Sequence, residues 1–483
     1  MLRAINRYIL YKNLLIVILV SIFSVLILCS SLLPQKWHMA IILIMLLFCL
    51  SLIIRDKKIF FISLFTFFIP INADIQFQKF PNHLGGAQGI SLSICDIILF
   101  ILLAIWIIET GAKNNHKFHF YPKISIPMIG ILFFYILSLA SSVNYSLSLY
   151  EIISYIKMYL IFIAIANLVT DRKYIRLIIT LLIFGILIQS IIVLAQQISG
   201  SSLGLSVLGE EKYSVLSAKF GNINFIRTGG TIGYPNRLAM YLVFLLPLSA
   251  SLFFFDSKKV NKVLYIFVTT IGIITLIFTF SRVAWLCICI ALILLFLIKF
   301  KVRGSGFSLF LIMLILIFII INIFIKPITI RLFEEDYGAA RARIPMIKVA
   351  SNIIKQHPIF GIGINNYSEV IIHYDNTPEQ ISIYDPHAVH NLYMFIAAET
   401  GILSLLLFLL ILYEVLRCCW KNIYSQDKYL SSVGIAFFCG FIALIINYTV
   451  DWIQIAEYTQ LWFSIGIIMA IDNMQKKKRH VRL

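Results

Sequence analysis

The sequence predicts an all-α integral membrane protein: a polytopic bundle of 12–14 transmembrane helices with a large extracytoplasmic loop. Three observations predict it. Of 483 residues, 60% are hydrophobic and only 13% are charged, about half the charge of a soluble domain. Apolar runs near the length of a bilayer-crossing helix recur along the chain, and a helix satisfies its own backbone groups there. Lys and Arg collect between alternate runs. The runs lack the short alternating pattern of an outer-membrane barrel.

Taken in order, spans are expected at 14–33, 38–54, 59–72, 90–108, 125–143, 147–169, 175–197, 237–255, 262–280, 283–299, 307–325, 390–413, 430–449 and 459–472. The third and last are short enough to be re-entrant or interfacial, which leaves 12. The first shows no small-residue cleavage site and reads as a retained helix. With the N-terminus in the cytoplasm, every inside segment is basic, from Arg3, Arg7 and Lys12 to Lys476, Lys477, Lys478, Arg479 and Arg482. That is the positive-inside pattern, with both termini cytoplasmic. The net charge of +18 is therefore read as topology, not as a nucleic-acid surface.

The whole chain, 1–483, reads as one polytopic domain. Three longer stretches fall outside, at 73–89, 198–236 and 326–389, and a basic tail at 473–483 falls inside. The tail anchors topology and attracts anionic membrane lipids. The eight cysteines lie in or at the ends of apolar runs, without zinc spacing. No disulfide framework, metal site or cofactor is expected. GIGINN, 361–366, reads as a turn, and DPH, 385–387, lacks the partners of a metal site.

The outside charges are where chemistry is expected. Arg282 lies in FTFSRVAWL, in a hairpin between two apolar runs; Arg237 follows GYPN; Arg341 and Arg343 lie in GAARARIPMIKVA. Such arginines serve either as interfacial anchors or as bidentate ligands for phosphate oxygens. Lys157 sits mid-span and should pair with a carboxylate. His387 and His390 stand in PHAVHNLYMFIAAETG, 386–401, at the mouth of an apolar run. Loop histidines are mostly just solvated, but His390 opens a helix at the aqueous boundary, where imidazole suits a general base. Glu399 is nine residues on, on the opposite helix face, and should meet a neighbouring helix.

Several stretches together resemble the O-antigen ligase and polymerase family. PHAVHNLYMFIAAETGILSLLLF is similar to its His-Asn…Glu-Thr-Gly signature, HPIFGIGINNYSEV to its Pro-x-x-Gly-x-Gly stretch, and RIPMIKVA to its Arg-led helix. FTFSRVAWL resembles its Ser-Arg hairpin and GTIGYPNRLAMYL its Pro-Asn helix start. Order and spacing agree over about 230–410, and the N-terminal half agrees in topology.

The resemblance implies a metal-independent, inverting glycosyltransferase of the bacterial inner membrane, with a helical core like other lipid-linked glycosyltransferases. It implies transfer of a glycan from undecaprenyl diphosphate to an acceptor hydroxyl, that of a glycan or of lipid A-core. His390 would be the general base, with Arg282 and Arg343 on the diphosphate and Arg237 and Arg341 in reserve. Asn391 would hold the imidazole or the acceptor, Tyr367 and Tyr393 would stack on sugars, and His387 would tune the site. Partners would include a chain-length regulator or a flippase.

Polymerase is the expected activity, as the chain is long and has no large C-terminal soluble domain; ligation to lipid A-core is the alternative. A flippase or transporter for the same lipid would scatter charges through its helices, whereas here they gather outside. An assembly partner without chemistry is the third reading.

Overall fold

The structure is a computed structural model that describes residues 24, 28, 30, 31, 35–112, 118–211, 214–220, 223–255, 258–303, 342–384 and 386–480. The spans expected at 14–33 (largely) and 307–325 (wholly), and Arg341, lie outside the described residues.

The helices are α1 (Gln35–Ile53), α2 (Lys57–Phe68), α3 (Ile94–Ala112), α4 (Pro122–Ser138), α5 (Tyr145–Leu168), α6 (Arg172–Ser199) and α7 (Pro235–Phe255). They continue as α8 (Lys259–Phe278), α9 (Arg282–Arg303), α10 (Arg343–Gln356), α11 (Leu392–Thr400), α12 (Ile402–Ile423), α13 (Lys428–Asn447) and α14 (Thr459–His480). Among the described residues, nine are long and apolar enough to cross a membrane: α3 to α9, α12 and α13. The chain is an all-α, multi-pass membrane protein.

Helix starts follow local chemistry. Asn144 caps α5 by accepting from the Leu147 N–H, Asp427 caps α13 through Tyr429 and Leu430, and Asp56 caps α2 through Ile59. Each side-chain oxygen satisfies a donor that the first turn leaves orphaned. Helix α6 ends at Gly200, whose φ of 68° suits a residue without Cβ.

Helix α7 is almost wholly buried and forms the centre of the bundle. Its Phe244 packs against Phe441 of α13 at 4.8 Å, ring to ring. A Cβ at Gly440 would lie 2.4 Å from the Phe244 carbonyl oxygen, so the glycine lets these two helices touch backbone to backbone. Helix α14 lies along α5, where Trp462 meets Tyr155 edge to face at 5.9 Å. Lys157 does pair with a carboxylate, Asp96 at 3.0 Å on α3.

Two features depart from expectation. The apolar run at 390–413 is not one span. It breaks at Gly401, at φ 88°, into the nine-residue α11 and the spanning α12, which reaches Ile423. At 1.5 Å per residue, α11 is far too short to cross. Two antiparallel hairpins also appear: β1 (Asp74–Phe77) with β2 (Ile90–Ser93), and β3 (Val215–Phe220) with β4 (Ile223–Thr228).

Candidate active site

The C-terminal end of α11 is built on a segment that precedes it in sequence. HPIFGIGINNY folds against the turn between α11 and α12. The N–H groups of Ile362 and Gly363 donate to the carbonyls of Ala398 and Glu399, at 3.0 and 3.1 Å, and Ile402 N–H donates to Pro358. The contact is backbone on backbone. A Cβ at Gly361 would lie 2.2 Å from the Glu399 carbonyl carbon, and one at Gly401 would lie 1.9 Å from the Ile359 oxygen. This contact explains why both motifs carry glycine where they do.

Glu399 completes the joint. Its carboxylate, 1% exposed, accepts from the Tyr367 N–H at 3.2 Å and from Gln454 Nε2 at 3.2 Å. Burial pushes its carboxyl up to about 7, against the pull of the Asn365 N–H and of Gln454. It meets a loop rather than the neighbouring helix expected for it. Asn365 extends the joint to the N-terminal half. Its Oδ1 accepts from Gly86 N–H at 2.7 Å and lies 2.8 Å from His83 Nε2, and its Nδ2 donates to Ala87 and Leu147 carbonyls.

On the other side of α11 lies His390. Its Nδ1 stands 3.5 Å from Asp451 Oδ1, within ion-pair range but too long for a hydrogen bond. The imidazole side chain is 31% exposed and that of Asp451 12%. Asp451 belongs to the link between α13 and α14, which is tied to α11 by Leu392 N–H to Tyr448 O at 2.9 Å and by Asn391 Nδ2 to Thr449 O at 3.0 Å. Several polar atoms around this link have no hydrogen-bond partner among the described residues: Asn447 Oδ1 and the hydroxyls of Tyr448 and Tyr458.

Arginines surround the same end of the bundle. Arg282 opens α9, half-buried, and α9 packs on α13. Arg343 opens α10, also half-buried, and α10 packs on α11. Arg237 lies over the Tyr234 ring at 5.7 Å, and its charge acts on Glu457, exposed in the link between α13 and α14.

The remaining expected site residues fall differently. Asn391 caps α11 by accepting from Met394 N–H at 3.0 Å. Tyr367 is 1% exposed, packs on Phe395 at 5.6 Å and lines the same cleft as His387. The Tyr393 hydroxyl donates to the Ile445 carbonyl at 2.8 Å, part-buried, and its ring abuts Tyr448. His387 is exposed at the lip of a cleft shared with Met346, Ile371, Ile381 and Ser382. Among the described residues no three His, Cys, Asp or Glu side chains converge as metal ligands.

Two members of the cluster escape sequence reading. Asp451 was detectable in principle, as one of two acids, with Glu457, in a short link between apolar runs. Arg227, on β4, stood among the other outside charges with nothing to single it out.

Residues 266–409 match the O-antigen ligase family, within the stretch that carries the sequence resemblance. The match supports glycan transfer of glycosyltransferase type in polysaccharide assembly. The match includes Arg282, Arg343 and His390 and stops short of Asp451. No curated protein matches the chain. One solved chain, from a study of the coordination of polymerization and crosslinking by a peptidoglycan synthase complex, is 13% identical. It covers 73% of this chain and 97% of its own length at a TM-score of 0.38, too low to bear on fold or function.

Proposed function

We propose that the protein polymerises glycan repeat units on the extracytoplasmic face, taking the growing chain from undecaprenyl diphosphate and giving it to an acceptor sugar hydroxyl. The loop at 326–389 then lies outside and both termini inside. The observation that carries the mechanism is the approach of Asp451 to His390 Nδ1 at the mouth of α11. With Nδ1 turned to the carboxylate, Nε2 is the nitrogen that takes a proton. As the acceptor oxygen bonds to the anomeric carbon, its proton passes to Nε2. The bond from that carbon to the diphosphate breaks on the opposite face, which inverts the centre. Asp451 stabilises the imidazolium that forms, and the separation of 3.5 Å closes in the substrate complex. Arg282 and Arg343 neutralise the leaving diphosphate; guanidinium suits its oxygens bidentately. No step calls on a metal ion.

Ligation to lipid A-core is the second reading, favoured by the description of the matched family as O-antigen ligase. Complementation of the gene deletion, with surface glycan separated on gels, distinguishes them. Wild type restoring a ladder of chain lengths, with His390→Ala leaving single repeat units, supports the polymerase. Long chains retained on their lipid carrier point to the ligase. A His390→Ala variant equal to wild type in both respects removes the histidine from the mechanism.

A further inference from the structure

Glu457 lies in the link between α13 and α14, outside the region that matches the family. It is exposed, yet ringed by charge. Arg237 at the start of α7 acts on it first, then Asp74 on β1, Lys157 on α5 and His83 in the loop between β1 and β2. Glu151 on α5 feels it in turn.

Two of these basic groups already have an acid. Lys157 Nζ is 3.0 Å from Asp96, and His83 Nδ1 is 2.9 Å from Glu369. Arg237 does not. Among the described residues its guanidinium makes no hydrogen bond or ion pair, and lies instead over the Tyr234 ring at 5.7 Å. The Glu457 carboxylate likewise makes neither among the described residues. Opposite charges therefore face each other without touching. Both backbones are held. Arg227 of β4 donates from Nη2 to Asn236 Oδ1, directly before Arg237, at 2.8 Å, and from Nε to the Thr279 carbonyl at 3.0 Å. The link is fixed by Glu457 N–H to Gln454 O at 3.0 Å and by Trp462 Nε1 to the Ile455 carbonyl at 2.6 Å.

A ligand between the two must suit both. A phosphate would be repelled by Glu457, Asp74 and Glu151, and a cation by Arg237 and Lys157. A hydroxyl is neutral, donates one hydrogen bond and accepts two. Neighbouring sugar hydroxyls can thus donate to the carboxylate and accept from the guanidinium, and hydrogen bonds to ionised groups are the strong kind. Closing the exposed ion pair would gain little by comparison.

We propose that Arg237 and Glu457 bind adjacent hydroxyls of a neutral sugar in the glycan, a subsite that rests on the proposed glycan transfer. Arg237 then serves the sugar and not the diphosphate.

The test uses the full-length protein in phosphatidylcholine nanodiscs. The probe is the oligosaccharide released by mild acid from the lipid-linked glycan that the deletion strain accumulates, with farnesyl diphosphate as control. Glu457→Ala and Arg237→Gln should each weaken oligosaccharide binding by about tenfold. Glu457→Gln, which keeps one acceptor oxygen, should weaken it by about threefold. Glu457→Ala should bind farnesyl diphosphate as wild type does. Unchanged oligosaccharide binding in Glu457→Ala, or in Glu457→Gln if the Ala protein does not fold, overturns the proposal. So does an equal loss of both probes, which would make the pair structural. Oligosaccharide that stays bound under saturating farnesyl diphosphate belongs to the acceptor, and oligosaccharide that is displaced belongs to the donor; either sustains the subsite. If wild type does not bind the oligosaccharide, the subsite fails, while the polymerase reading still stands or falls on the complementation ladder.

Discussion

The two sides of α11 handle their polar groups in opposite ways. On the Glu399 side, what the loop offers is used. Asn365 has partners for both its oxygen and its nitrogen, and Glu399 receives backbone N–H groups and Gln454. On the His390 side, polar atoms are left over: His390 Nδ1 at 3.5 Å from its acid, Asn447 Oδ1, and the Tyr448 and Tyr458 hydroxyls. Buried polar groups ordinarily find partners, since leaving one unsatisfied costs about 1–3 kcal/mol. The first side is a scaffold whose loop groups, Asn365 foremost, are spent on holding the chain. The second leaves groups unspent, which is what the proposed substrate site requires.

Four substitutions would break or sharpen this contrast. The largest effect is expected from Asp451→Asn, on the unspent side. It keeps shape but removes the charge that in the proposed mechanism stabilises His390, so the transfer rate should fall about 10²-fold with the melting temperature unchanged. A normal rate would detach Asp451 from the chemistry.

Asn365→Ala strikes the spent side. It strands the Gly86 N–H and the Ala87 and Leu147 carbonyls, and should cost about 3–6 kcal/mol, read as lost folded protein in detergent melts. A cost near zero would mean the joint is not structural.

A smaller effect follows from Glu399, which lies ahead of the span that starts at Ile402. Its carboxyl stands at about 7 folded, against an ordinary 4.5. A raised acid holds its proton better folded than unfolded, so it favours folding at low pH, and that advantage is lost as pH rises from about 4.5 to 7. The shift corresponds to on the order of 3 kcal/mol. Glu399→Gln should flatten the melting temperature across that window; an unaltered pH profile would assign the dependence elsewhere.

Tyr458→Phe should change least, within about 0.5 kcal/mol, because the hydroxyl it removes has no partner among the described residues. A cost above about 1 kcal/mol would show that the hydroxyl is bonded after all, and would weaken the contrast.

The motif residues were legible, but several of their roles were not. GIGINN and the ETG turn read as separate features in the sequence; folded, they are two halves of one joint, because Gly361 and Gly401 admit another backbone where a Cβ would collide. Asn391 and Tyr367 sit in the motif and read as substrate contacts; folded, one also caps a helix and the other packs into the core. A side chain's type states what it can bind, and only its surroundings state what it already binds. The apolar run at 390–413 looked like a span because hydropathy averages over a glycine that breaks the helix.

By itself the sequence determined that this is a helical membrane protein, since apolar length and backbone satisfaction leave little choice in a bilayer. It also singled out His390 and the arginines of the matched region. Tertiary structure decided which acid His390 meets and which turns Arg227 joins. Asp451 is 61 residues from His390, and Arg227 is 52 from Thr279. Contacts over such distances depend on how helices pack, and no local pattern in the chain records that.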